Sequence, residues 1–459
     1  MWDLSIHRHP AMLTDEDNFL LARVGPGTPM GELFRRFWLP ALLSSEVEKP
    51  DSPPVRLRIL HEDLLSFRDS SGRVGIVEAY CSHRGAPLFF GRNEESGLRC
   101  PYHGWKFDVD GQCVDIPNTD GLQDRAKVRA KLGIGAYPVR EAGGMVWVYM
   151  GPRDRQPELP GLEWLHVPEG HCHASRWLQR SNWLQGAEGE IDTSHISFLH
   201  KDHDPASSPI QATGANLAVD GAPEITVRET DYGFASAARR RMGDDYFWRI
   251  SQWLVPMYSL IPRAPSEVFT GCGGRAWVPI DDDNTMTFAY RYRVDRPLNH
   301  EEFEIIARGE HFPPRTKRAA VQFQEGHPVD LFVPEANMGN DYMIDRLLQR
   351  NVNFTGIRGV SAQDRSVQEG MRPAAPGSRG IVDRSREHLV GSDRAIVTAR
   401  RRLLKMVRDL QQGIEPSAAS DGGVYGVRAI SRICSTAGAD EFIDKYGERA
   451  AIGIGEVRP

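Results

Sequence analysis

The pattern of apolar and polar positions divides the chain into stretches of different texture. "TPMGELFRRFW", at 28–38, opens as a helix: Thr28 is placed to cap it, and Pro29 falls at the first helical position, where a missing N–H costs nothing. From about Val55 the texture changes to short runs bounded by turns, "VRLRIL", "LLSFRD", "VGIVEAYC", "KFDVDGQCVDI" and "GMVWVYMG". Asp110-Gly111 between two extended runs is a hairpin signal. Residues 40–155 therefore read as a small all-β domain, preceded over 1–39 by a helical segment expected to pack on the larger domain. "MGPRDRQPELPG" breaks the pattern with Pro and Gly and reads as a linker.

Over 156–459 the two kinds of pattern mix. "AEGEIDTSHISFLH" has helical character, whereas "EITVRETDYGFASAARR", "DYFWRISQWLVPMYSLI" and "TMTFAYRYRV" read as strands of an antiparallel sheet. "EEFEIIARGEHF" and "SDRAIVTARRRLLKMVRDLQQG" read as helices, the second capped by Ser392 and ended by Gly413. The expected fold class is α+β: an all-β domain, then a domain whose antiparallel sheet is flanked by helices.

Composition excludes more than it selects. Hydrophobic residues make up 40% of the chain and charged residues 26%, as in ordinary globular proteins. A net charge of −6 and a pI near 6.2 argue against a nucleic-acid partner, which calls for a basic face. No apolar run is long enough to span a membrane. "MWDLSIHRHPAMLTDEDN" has no basic stretch leading into an apolar one, so a cytoplasmic location is expected. Six cysteines in 459 residues are too sparse for a disulfide scaffold; closely spaced cysteines in such a chain point to metal.

The metal-binding types cluster in "CSHRGAPLFFGRNEESGLRCPYHGW", which supplies Cys81, His83, Cys100 and His103. Zinc accepts two thiolates and two imidazoles, but zinc fingers pair cysteine with cysteine and histidine with histidine. Here each short loop supplies one of each. That distribution suits a two-iron cluster in which two cysteines hold one iron and two histidines the other. Gly85, Gly91 and Gly104 would let the backbone approach the sulfides, and Pro101 would stiffen the second loop. Cys113 has no histidine partner and reads as a core or hairpin cysteine.

Downstream, "EGEIDTSHISFLHKDHD" offers Asp192, His195 and His200. Two histidines and one carboxylate with open positions are how non-haem Fe(II) oxygenases bind and activate O₂. A spacing of three puts Asp192 and His195 on one helical face, whereas five residues carry His200 about 140° round. Both histidines reach one ion only if the helix ends, or contains a π-turn, between them. A solvated helix end explains the same residues, since Asp202 and His203 follow closely. For a third ligand the chain offers Asp364, Asp341 and Asp345, and Ser361-x-x-Asp364 reads equally well as a capping box.

"CSHRGAPL" with "CPYHGWKFD" resembles the Rieske signature, C-x-H, sixteen residues, C-x-x-H. D-x-x-H-x-x-x-x-H resembles the mononuclear iron site of the Rieske non-haem iron oxygenases. "NWLQGAEGEIDTSHISFLH" is similar to the phthalate dioxygenase branch, and the likeness runs from "RVGPGTPMGEL" to "GSDRAIVTARRRLL". The resemblance implies a [2Fe–2S] cluster on Cys81, His83, Cys100 and His103 and a mononuclear Fe(II) on His195, His200 and Asp364, the last matching a "QD" segment before a helix. It implies a homotrimer, or stacked trimers, in which Asp192 bridges a cluster histidine of one subunit to His195 of the next. One departure is Gly189, where many members carry Asn or Glu. The chain lacks a dinucleotide fingerprint, so NAD(P)H is expected to be oxidised by a separate reductase of ferredoxin or flavin type.

The expected activity is that of a terminal oxygenase component, hydroxylating or oxidatively demethylating an aromatic carboxylate with O₂. Arg249, on a strand whose alternate residues are apolar, is the substrate-anchoring candidate, against the alternative that it pairs with a surface acid. Phe198, Trp253 and Tyr258 are candidate pocket walls or core residues. The competing readings are an electron-transfer protein with a non-catalytic docking domain and a zinc-stabilised binding protein.

Overall fold

Local chemistry starts the first helices as expected. The Thr28 hydroxyl accepts the Gly31 N–H at 3.2 Å and Pro29 opens the Pro29–Phe34 helix. Thr14 caps Asp15–Ala22 in the same way, with three acids in its first turn facing the positive helix end. In this computed structural model, residues 13–119, 124–204, 220–262, 272–309, 312–375 and 378–447 are described.

The short runs after Val55 form small antiparallel sheets. One joins Val55–Ile59, Glu62–Arg68, Val74–Glu78 and Ala136–Tyr137; another joins Arg92–Glu94, Gly97–Arg99, Lys106–Phe107 and Cys113–Asp115. The Asp110-Gly111 turn closes the last hairpin, with Gly111 at φ 78°. Beneath the cysteine loops lies a separate core that includes Leu65, Phe67, Leu98 and Phe107. Cys113 belongs to it, and its Sγ lies 3.5 Å from the Asp115 carbonyl.

An eight-stranded sheet, antiparallel throughout, dominates the remainder. Its order runs Cys172–Gln179, Thr285–Tyr292, Cys272–Pro279, Tyr258–Leu260, Asp245–Leu254, Gly233–Met242, Glu224–Thr230, with Ile430–Cys434 paired to Asp245–Leu254. The helices Trp183–Ile191 and Arg394–Gln411 pack on it and Val360–Gln368 packs on the first of them, which is the α+β class expected. The Arg394–Gln411 helix does not start on Ser392. A 3₁₀ turn over Gly391–Asp393 takes up that residue, the Asp393 carboxylate accepting the Val390 N–H at 2.7 Å. Gly413, at φ 82°, follows its end.

Glu188 ties the functional helix, Trp183–Ile191, to this frame. Fully inside the protein, its carboxylate accepts from Arg384 Nη2 at 2.9 Å and Arg400 Nε at 2.6 Å, and Arg384 also reaches Asn18 at 3.2 Å. Burial opposes the charge of Glu188, but the two guanidinium groups hold its carboxyl below the ordinary range. Glu188→Ala leaves two buried arginines without their shared anion and should cost about 3–5 kcal/mol of unfolding free energy, measured by urea titration. Because the folded pKa is depressed, this stabilisation is complete above the unfolded value near 4.5 and fades as pH falls below it. Glu188→Gln should therefore flatten the acid limb of a stability–pH curve.

Candidate metal centres

The Cys81 and Cys100 loops are built alike. In each, a glycine four residues on returns its N–H to the cysteine carbonyl, Gly85 to Cys81 at 2.8 Å and Gly104 to Cys100 at 3.0 Å. Both turns need positive φ, 70° at Gly85 and 74° at Gly104, which explains the glycines. Gly91 plays a different part: it leaves room for the Arg99 carbonyl of the neighbouring strand, not for a cluster. The two cysteines are buried, whereas His83 is exposed and His103 half-buried. The imidazole centroids stand 4.6 Å apart, and His83 stacks on Trp105 at 4.4 Å. Burial pushes the Cys81 thiol up to about 11, so holding it as thiolate calls for a cation. Two thiols facing inward and two imidazoles facing outward is the donor set of a Rieske [2Fe–2S] cluster.

The second centre forms where the functional helix stops. Trp183–Ile191 ends at Asp192, whose Oδ1 accepts the Ser194 N–H at 2.7 Å and turns the chain out of helical geometry. A single turn, Ile196–Leu199, then separates His195 from His200. The turn ends at Leu199, which leaves His200 out of helical geometry as expected; a further break at Asp192 means that Asp192 and His195 do not share one continuous helix.

Asp364 joins the histidines from the Val360–Gln368 helix. His200 Nε2 lies 3.1 Å from Asp364 Oδ1, His195 Nε2 3.7 Å from the same oxygen, and the two Nε2 atoms are 3.3 Å apart. Donors so spaced fit around one ion at about 2.1 Å from each. Among the described residues these three form the one group of histidine, cysteine and acid side chains with such spacing. The capping-box reading fails, since Gly359 is the N-cap and Asp364 lies inside the helix. Asp345 instead caps Arg346–Asn351 through Leu347 and Leu348 N–H, and Asp341 is exposed. Burial opposes ionisation of Asp364, but the two imidazoles and Arg275 bring its carboxyl below the usual range.

The supports of the two imidazoles differ. Asp192 Oδ2 stands 3.5 Å from His195 Nδ1, whereas Gln363 Oε1 stands 2.7 Å from His200 Nδ1. Gly189 is explained by Gln368, whose buried amide fills the space a side chain there would take.

These groups line one side of a cleft enclosing about 960 Å³ of empty space, mouth included. Arg249 lies in its wall, 5% exposed, and so is not a surface residue. Sequence reasoning missed Arg275, Arg291, Glu190 and Tyr290, which also line it. Arg275 pairs with Glu190 and lies over the Phe312 ring, 3.2 Å from its centroid. Burial pushes the Glu190 carboxyl up to about 7 against the pull of Arg275. The three proposed aromatic walls are not walls. Trp253 packs in the core on Phe234, Tyr258 is buried with its hydroxyl donating to the Trp38 carbonyl, and Phe198 is 62% exposed, packed edge-on to Phe354.

Known proteins are similar to both parts of the chain. The Rieske [2Fe-2S] domain family matches residues 37–127, and the family described as "LigXa C-terminal domain like" matches 148–433. The chain is 40% identical over 413 residues to the 3-chlorobenzoate-3,4-dioxygenase oxygenase subunit of Comamonas testosteroni, covering 86% of this chain and 89% of that protein. It is 40% identical over 437 residues to the phthalate 4,5-dioxygenase oxygenase subunit of Pseudomonas putida, covering 92% of each. In fold it is similar to NdmA of Pseudomonas putida CBB5 solved with caffeine, at a TM-score of 0.55 and 17% identity over 85% of this chain and 95% of that one. The chain belongs to the Rieske non-haem iron oxygenases. Within them it is an oxygenase subunit, with a Rieske [2Fe–2S] cluster and a mononuclear iron as cofactors and a separate reductase or ferredoxin as electron donor. That sets aside the zinc-binding and pure electron-transfer readings. Among the described residues no helix is long and apolar enough to cross a membrane.

Proposed function

We propose that this oxygenase hydroxylates or oxidatively demethylates an aromatic carboxylate, with Cys81, His83, Cys100 and His103 holding the cluster and His195, His200 and Asp364 holding the iron. The observation that carries the reading is the convergence of the three ligand atoms on a cleft whose wall carries buried arginines. Iron bound there by two histidines and one carboxylate keeps coordination positions open and supplies O₂ activation. The protein's own share is to place the substrate. Arg249 offers a guanidinium that can hydrogen-bond a carboxylate, and Phe312 and Tyr290 add apolar lining for an aromatic ring. The Glu190–Arg275 pair keeps another cation at the wall without leaving its charge unbalanced.

Electrons reach this site, in the same reading, from the cluster of a neighbouring copy in a head-to-tail trimer. The exposed side of the cluster is its histidine side, where Tyr102 is also exposed. Near Asp192, the exposed rings of Phe198 and Phe354 offer an apolar seat for such a face. Asp192 would accept from a cluster histidine of the neighbour and orient His195 on its own side. A cytoplasmic enzyme served by an NAD(P)H-dependent reductase completes the picture.

The test is product analysis with a panel of aromatic acids and aryl ethers and a surrogate reductase. A cis-diol identifies ring dioxygenation and formaldehyde identifies demethylation; turnover confined to substrates without a carboxylate contradicts the proposed substrate class. Arg249→Leu should raise KM for the carboxylate substrate about 10–100-fold with a smaller change in kcat, as loss of a charged hydrogen-bonded anchor does.

A further inference from the structure

His200 has a neutral partner where His195 has an anionic one, and the orientation of that partner is fixed. Gln363 is buried, with Nε2 donating to the Ile357 carbonyl at 3.0 Å, so Oε1 is the atom left facing His200 Nδ1 at 2.7 Å. An amide oxygen only accepts, so His200 carries its proton on Nδ1. That leaves Nε2, 3.1 Å from Asp364 Oδ1, as the ring atom on the side of the other two ligands.

The Ile357 carbonyl is itself held in place. It also accepts from Asn353 Nδ2 at 3.1 Å, and Asn353 Oδ1 accepts the Gly356 N–H at 2.7 Å. The same segment is tied to the residues following His200: Phe354 N–H donates to the Lys201 carbonyl at 2.9 Å, and His203 N–H to the Val352 carbonyl at 2.7 Å. The chain from imidazole to amide to carbonyl thus closes on the backbone that carries the imidazole. Each polar group in it has one role left open to it.

We propose that Gln363 is a positioning residue for the iron site: it selects the Nδ1–H tautomer of His200 and sets the ring plane, without adding charge beside the metal. This rests on the iron-site reading above. Gln363→Leu removes the acceptor at similar volume; Gln363→Glu keeps an acceptor oxygen for His200 Nδ1 and gives up only the donation to the Ile357 carbonyl, which still accepts from Asn353. Chelator competition on the holoenzyme should show affinity for the mononuclear iron falling about 10–100-fold in Gln363→Leu and staying near wild type in Gln363→Glu. The Rieske EPR signal and the far-UV circular dichroism should be unchanged in both, which separates loss of a partner from loss of fold.

A second readout follows the proton itself. With cobalt(II) at the mononuclear site, the wild-type enzyme should show two strongly shifted, slowly exchanging imidazole N–H resonances. Gln363→Leu should lose one of them to fast exchange, and Gln363→Glu should keep both. Wild-type affinity in Gln363→Leu, or equal losses in the Leu and Glu variants, overturns the proposal. A wild-type enzyme holding no iron beyond its cluster overturns the iron-site reading and the proposal with it.

Discussion

Asp364→Ala is expected to abolish turnover and to remove the mononuclear iron while leaving the Rieske spectrum intact. Asp364 Oδ1 is the one atom shared by both imidazole contacts, at 3.1 Å and 3.7 Å. Without it two histidines remain, 3.3 Å apart at Nε2, with no anion to balance a divalent ion. The loss of iron affinity should exceed the ~10–100-fold that removal of an outer hydrogen-bond partner costs. The cysteine loops belong to a separate core, so the cluster should be indifferent to the change. Metal analysis with acid-labile sulfide checks this: about three irons per two sulfides in the wild type, about two per two in the variant. An Asp364→Ala enzyme that keeps its third iron contradicts the ligand assignment.

Asp192→Asn is expected to keep both metals and still lose turnover by about 100-fold. The substitution preserves volume, and an Asn oxygen can still accept the Ser194 N–H that ends the functional helix. What changes is the atom facing His195 Nδ1, now 3.5 Å from Oδ2, where an amide would bring a donor against a donor. Burial alone would raise the Asp192 carboxyl; contact with His195 and backbone N–H groups holds it below the ordinary range, so the residue works as an anion. Steady-state turnover read beside iron and sulfide content separates this from ligand loss. Near-wild-type activity would remove the bridging role.

The cluster loops were legible in the sequence because their chemistry is local. Cys81 with His83, and Cys100 with His103, lie within single turns, and the glycines the turns require follow at fixed distance. The iron site was legible only in part. Its histidines sit in one short segment, but Asp364 arrives from a distant helix, where Ser361 imitated a cap. The helix end between the histidines was read correctly, but the further break at Asp192 was missed although "DTS" carries its cause, a short acid able to capture the N–H two residues on.

The pocket wall was hardest to read. Trp253 and Tyr258 lie on strands buried on both faces, so a core ring and a pocket ring look alike in sequence. Arg275 and Arg291 sit among apolar neighbours, as Arg249 does, and only the sheet's register brings them to one cleft. Gln363 gave no signal at all beyond its place next to Asp364, because its role depends on where the Ile357 carbonyl points.

The claim that joins these parts is that one copy's cluster serves the iron of the next. Co-expression of a cluster-deficient chain (His103→Ala) with an iron-deficient chain (Asp364→Ala), each carrying its own tag, tests it directly. Each parent alone should be inactive. If electrons cross between copies in a ring, randomly mixed assemblies should recover up to about a quarter of wild-type activity, because half the clusters and half the irons are intact independently. Mixed assemblies as inactive as their parents would show that the two centres work within one chain, and would contradict the account.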